Sequence, residues 1–132
     1  MLALVCYEAL FSGDLGPGAN DAALLLNLTN DAWFDHSIGP AQHFHHALLR
    51  AVEQGKPMIR VANTGITASI DPLGRVVAAL APEQSATLDV IPDQPLPPTL
   101  FARWRHWPLL VALLILGLGE LTAFVLTRRR HN

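Results

Sequence analysis

The sequence predicts an α/β domain that ends in one transmembrane helix. Three observations carry that reading. Apolar runs of strand length recur between turn signals as far as residue 91. One amphipathic stretch, Ala41 to Gln54, separates two of those runs with helical spacing. Pro108 to Thr127 reads PLLVALLILGLGELTAFVLT, which as a helix reaches across a hydrocarbon core of about 30 Å.

The elements follow in order. Leu4 and Val5, the apolar run before Cys6, read as part of a buried strand, and the run after it, through Phe11, as the opening of a helix. Ser12 to Asn20 is turn chemistry, with glycine and proline in close succession. Ala22 to Thr29 is a second strand, and Asn30 to Pro40 a loop with two aromatics, Trp33 and Phe34. In the helix 41–54, Phe44, Ala47, Leu48, Ala51 and Val52 form an apolar stripe. Gln42, His46, Arg50 and Glu53 form the polar face. Pro40 and Gly55 stand where a helix begins and stops. Met58 to Ala62, Ile66 to Ile70 and Arg75 to Leu80 are strands, the last two joined by the tight turn Asp71-Pro72-Leu73-Gly74. Ala86 to Ile91 is a candidate last strand, and Pro92 to Pro98 a proline-rich connector.

Charge is distributed unevenly. Of nine Lys and Arg residues, Arg103, Arg105, Arg128, Arg129 and Arg130 flank the apolar segment. The part before Arg103 carries ten carboxylates against four basic residues, which gives no support to nucleic-acid binding. Trp104 and Trp107 stand at one end of the segment, where amphipathic rings favour the interface. The arginine cluster at the other end predicts a cytoplasmic C-terminus. Glu120 is a carboxylate inside the span, a costly placement that calls for a protein partner or a water-filled cavity.

The single cysteine excludes an internal disulfide and a cysteine-based zinc cluster. Its place is informative. A thiol at a strand-to-helix joint is held out at the end of a sheet, near helix-terminus N–H groups that favour a thiolate. The competing reading is an inert small core residue. His43, His45 and His46 do not converge on one helix face, so no metal site is predicted.

The blocks VCYE, LTNDAWFDHSIGPAQHF and LLRAVEQGKPMIRVANTGITASIDPLGRV together resemble the second half of a nitrilase-superfamily domain. With the apolar segment after them, they resemble the apolipoprotein N-acyltransferase family in particular. The resemblance implies the C-terminal part of an α-β-β-α sandwich over residues 1–98. A membrane-proximal connector (99–107), a transmembrane helix (108–127) and a basic cytoplasmic tail (128–132) follow it. It further implies a bacterial inner-membrane enzyme whose soluble part faces the periplasm. Members of the family are much longer, so the chain is expected to be a C-terminal fragment, with Met1 a truncation or an internal start.

The chemistry implied by the resemblance is acyl transfer from a phospholipid, through a cysteine thioester, to the amino group of a diacylglyceryl-modified apolipoprotein. No cofactor is implied. Cys6 matches the nucleophile, the Tyr7 backbone N–H an oxyanion donor, and Glu8 a supporting carboxylate. Trp33 and Phe34 match aromatics that bind substrate. Glu8 serving only to cap or pair within its helix, and Trp33 only packing its loop, are the competing readings. The family's triad adds a Glu base and an oxyanion-stabilising Lys, both before the cysteine. Only five residues precede Cys6 here, none of them Glu or Lys, and the sole lysine, Lys56, matches another part of the pattern. The missing N-terminal part of the enzyme is therefore an expected partner, and the chain alone is expected to be inactive. Two other functions stay open: an amidase of another nitrilase branch, and a membrane-anchored binding module without catalysis.

Overall fold

Strands β1 (Leu2–Val5), β2 (Leu25–Thr29), β3 (Met58–Ala62), β4 (Thr67–Ile70) and β5 (Val76–Leu80) form one sheet in sequence order. The computed structural model describes residues 1–13, 15–16, 18–34 and 36–130, without the side chains of 124–126 and 128–130. β1, β2 and β3 run parallel, and β4 and β5 return antiparallel to them. Parallel neighbours need a crossover. Helix α1 (Gly39–Gln54) supplies it between β2 and β3.

Alternation decides which side chains meet α1. Leu4, Leu25, Met58 and Ile70 share a buried cluster with Ala47 and Ala51 of the helix, whose small side chains allow close approach. Val5, Leu28 and Val61, one residue out of phase, are exposed. Pro40 stands in the first turn of α1, and Gly55 closes the helix in the left-handed conformation, φ 63°. Its N–H bonds the carbonyls of Ala51 and Val52, the ending that a residue without Cβ permits.

Several boundaries differ from the sequence expectation. β2 begins at Leu25, not Ala22, because 18–21 form a turn in which the Ala22 N–H bonds the Gly18 carbonyl. The helix begins two residues earlier than Ala41. Ala86–Ile91 joins no ladder, and its residues 86–90 instead line a cleft with Ile59, Thr67 and Ser69. Arg50, expected on the polar face, is buried, since its guanidinium is consumed by the Leu10 carbonyl and Glu53.

Helix α2 (Leu100–Trp104) and helix α3 (Trp107–Arg130) follow. The Thr99 hydroxyl accepts the Ala102 N–H and donates to the Glu53 carbonyl, joining the start of α2 to the end of α1. α3 is one continuous helix of 24 residues through the segment 108–127. Among the described residues, however, no helix is long and apolar enough to cross a membrane. In the basic tail, the side chains of 128–130 and all of 131–132 lie outside the described residues.

Candidate active site

Cys6 stands where β1 ends and a five-residue 3₁₀ helix, Cys6–Leu10, begins. Its thiol is free and half-buried. Its φ is 49°, in the left-handed region that costs a residue with a Cβ about 1–2 kcal/mol. Such strain persists only where the surroundings over-determine it. Here they do. The Asn27 amide donates to the Leu4 carbonyl at 3.0 Å, and Arg50 donates to the Leu10 carbonyl at 3.1 Å. His43 Nε2 lies 3.2 Å from the Cys6 carbonyl oxygen. The Glu8 carboxylate folds back to accept the Val5 N–H at 2.6 Å.

Beneath this elbow Asn27, Asp31, His43 and Arg60 are buried together. Arg60 donates one guanidinium nitrogen to the Asn27 amide oxygen and the other to Asp31 Oδ2 at 2.7 Å. Asp31 Oδ1 lies 2.9 Å from His43 Nδ1 and accepts the Thr29 hydroxyl at 3.1 Å. Burial lowers the Arg60 guanidinium from its ordinary value, and the negative charge of Asp31, together with Cys6, opposes that shift.

Three rings close over the network. Tyr7 stacks on His43 with centroids 5.4 Å apart, and Phe34 meets both rings edge-on, at 6.1 Å from Tyr7 and 5.8 Å from His43. A Cβ at Gly39 would fall on the Phe34 ring, so a glycine is needed there to seat it.

The structure therefore gathers three of the sequence-predicted site residues, Cys6, Tyr7 and Phe34. Glu8 lies beside them but is turned back onto Val5, and Trp33 is 80 % exposed. Lys56 is committed elsewhere, to the carbonyls of Ala19 and Asn20. Its ammonium is pushed below its ordinary value by burial, with Asp21 opposing. Asn27, Asp31, His43 and Arg60 were not anticipated as site residues. A signal for two of them exists: Asn27 and Arg60 fall in phase with Leu25 and Met58, on the face that alternation assigns to the core. A polar residue at such a position needs a buried partner. Among the described residues, no group of three His, Cys, Asp or Glu side chains is placed to hold a metal.

A thiol on a strained elbow, over a buried charged network at the end of a parallel sheet, is suited to nucleophilic attack on a carbonyl. Residues 1–92 match the family model described as carbon-nitrogen hydrolase. The chain belongs to the carbon-nitrogen hydrolase family. Cys6 and the network below it all lie inside the matched residues, so the elbow is part of the carbon-nitrogen hydrolase domain itself.

Relatives narrow the comparison. A protein of Rhodopseudomonas palustris named apolipoprotein N-acyltransferase is 47% identical over 118 residues, covering 88% of this chain and 22% of the relative. One of the same name from Rickettsia bellii is 42% identical over 130 residues, covering 98% of this chain and 26% of the relative. A third, from Agrobacterium fabrum, is 57% identical over 77 residues, covering 58% of this chain and 15% of the relative. The chain thus spans about a quarter or less of the length of these curated relatives.

Proposed function

We propose that this chain carries the nucleophile of an apolipoprotein N-acyltransferase. The observation that carries the reading is the strained Cys6 elbow, lying within a carbon-nitrogen hydrolase domain whose relatives bear that enzyme name. The Cys6 thiolate attacks the ester carbonyl carbon of a phospholipid, forming a C–S bond. The tetrahedral oxyanion collapses, the ester C–O bond breaks, and the lysophospholipid leaves as an alcohol after taking up a proton. The amino group of a diacylglyceryl-cysteine lipoprotein then attacks the thioester. An amide forms, the C–S bond breaks and the thiolate returns, while the amine releases the proton that replaces the one taken up by the lysophospholipid.

Roles follow from position. Cys6 and Tyr7 open a 3₁₀ helix, so their N–H groups precede its first internal bond, and the Tyr7 N–H is assigned to the oxyanion. Phe34 packs edge-on against Tyr7, the residue after Cys6, and the exposed Trp33 extends the apolar surface for an acyl chain. Glu8 supports the elbow through the Val5 N–H. A general base and a second, cationic oxyanion donor are assigned to parts of the enzyme outside these 132 residues, in keeping with the share of the relatives that the chain spans. The same remainder is assigned to cover the apolar sheet face of Val5, Leu28 and Val61, completing the α-β-β-α sandwich.

The apolar segment 108–127 that α3 carries, part of whose side chains lie outside the described residues, is assigned as the membrane span, with the soluble part on the periplasmic side and the arginine end in the cytoplasm. What supports this is the row of exposed leucines along it, Leu109, Leu110, Leu113, Leu114, Leu116, Leu118. A phosphatase fused after Asn132 should stay silent, and periplasmic phosphatase activity would reverse the orientation.

The activity is tested by replacing the matching segment of the Rhodopseudomonas palustris relative with this chain. The chimera should move a labelled acyl chain from phospholipid to a diacylglyceryl-cysteine peptide, and its Cys6→Ser variant should not. Release of ammonia from amides without transfer would instead favour an amidase, and neither activity would favour a binding module.

A further inference from the structure

We propose that Asp31 and His43 form a positioning pair that grips the Cys6 carbonyl and thereby aims the Tyr7 N–H at the reacting oxyanion. The inference rests on reading Cys6 as the nucleophile, and concerns two residues to which that reading gives no role.

The grip comes from α1. His43 and Arg50, two turns apart on one buried face, both reach main-chain carbonyls of the elbow, His43 at Cys6 and Arg50 at Leu10. The five-residue helix between them is too short to fix itself by internal bonds. Its two ends are fixed from outside.

The ring of His43 is held from both ends. Nε2 faces the Cys6 carbonyl oxygen, which only accepts, so the proton of that contact is on the imidazole. Nδ1 faces a carboxylate oxygen of Asp31 at 2.9 Å, and that carboxylate is ion-paired to Arg60. Arg60 and His43, their nitrogens 3.4 Å apart, converge on the same carboxylate. The charged and titratable groups that face the ring are thus Asp31 from the 3₁₀ helix Asp31–Phe34, Arg60 from β3, and Cys6 and Tyr7 from the elbow.

The consequence is geometric. The Cys6 carbonyl and the Tyr7 N–H belong to one planar trans peptide, so they point in opposite directions. Holding the oxygen inward on His43 turns the N–H the opposite way, away from the buried network. Without the imidazole that peptide can rotate, and the left-handed φ of Cys6 loses one of the bonds that maintain it.

Cys6 is the sole cysteine, so thiol chemistry on the full chain in detergent micelles reads this site alone. Two reactions separate aim from mere exposure. Acylation by a p-nitrophenyl ester forms a C–S bond, passes through an oxyanion and expels p-nitrophenolate, while the thiol proton goes to solvent. Alkylation by iodoacetamide displaces iodide and has no oxyanion. His43→Ala should slow acylation at least about tenfold, as loss of an oxyanion donor does, while alkylation changes by no more than about threefold. His43→Gln, whose amide can donate to the same carbonyl, should recover part of the acylation rate. Equal changes in the two reactions, no change in either, or loss of the folded circular dichroism spectrum in both variants would overturn the pair. The phospholipid arm is separate. If phospholipid leaves no adduct on the chimera while the ester and alkylation rates diverge as described, the positioning pair stands and the acyltransferase reading falls.

Discussion

Asn27 and Arg60 are register partners on the parallel strands β2 and β3, and the guanidinium of Arg60 donates to the Asn27 amide oxygen in the buried centre of the sheet. The Asn27 amide nitrogen continues to the Leu4 carbonyl on β1. One polar line thus crosses three strands and ends two residues before Cys6. A buried cation of this kind is expensive to desolvate, and Asn27 and Asp31 offset that cost at its two terminal nitrogens.

Removing that cation should therefore be severe. Arg60→Met leaves the Asn27 amide oxygen without its donor and Asp31 without its arginine ion pair, and is expected to cost about 3–5 kcal/mol. Arg60→Lys should recover little, because one ammonium cannot reproduce the fork that reaches Asn27 and Asp31 together. Urea unfolding of the three proteins measures both effects, and a loss below about 1 kcal/mol in Arg60→Met would show that the network is not structural.

The strain at Cys6 makes a prediction of opposite sign. Cys6→Gly removes the Cβ that opposes φ 49°, and should leave the fold as stable as before or more stable by up to ~1 kcal/mol, while abolishing thiol chemistry. Cys6→Val, β-branched in the same conformation, should lose more than ~1 kcal/mol. A stability order with valine above glycine would contradict the left-handed elbow.

The turn between β4 and β5 sets an acid limit. Burial pushes the Asp71 carboxyl up. Hydrogen bonds from the Arg75 and Leu73 backbone N–H groups and the Arg75 guanidinium, with the Arg75 charge, more than reverse this, so it lies below its ordinary value. A lowered carboxyl contributes its stability in full above the unfolded-state value of about 3.9, and loses it as pH falls through the lower folded value. Asp71→Asn should be less stable than the parent at neutral pH, with the gap closing only below about pH 4. Denaturant midpoints measured from neutral pH down into acid test this. A gap that stayed constant throughout would mean that the carboxylate charge is irrelevant to the turn.

Much of this molecule was legible from residue pattern alone. The strands β3 and β5 and the turn at Asp71 followed from apolar runs and turn residues, because their alternation is local. The glycine at the end of α1 and the placement of Cys6 at a strand-to-helix joint were legible for the same reason. The network was not. His43, Asp31 and Arg60 come from a helix, a short 3₁₀ turn and a strand, and no local pattern shows that they meet. Arg50 illustrates the difficulty: helical spacing puts it among polar neighbours, yet its partner is a carbonyl forty positions away in the chain. The start of β2 was misplaced because Ala22, Ala23 and Leu24 are as apolar as the strand itself, whereas the ladder begins only at Leu25, where the N–H meets the Pro57 carbonyl.

A thioester on Cys6 during the proposed acyl transfer is read from the mass of the Cys6 peptide. The chimera carrying this chain, incubated with phospholipid and no acceptor, should yield a Cys6 peptide heavier by one acyl group. Hydroxylamine should remove that mass, and the acceptor peptide should discharge it as the N-acylated product. Acyl transfer that proceeds at the parent rate in Cys6→Ala, or that leaves Cys6 unmodified throughout turnover, would contradict the account.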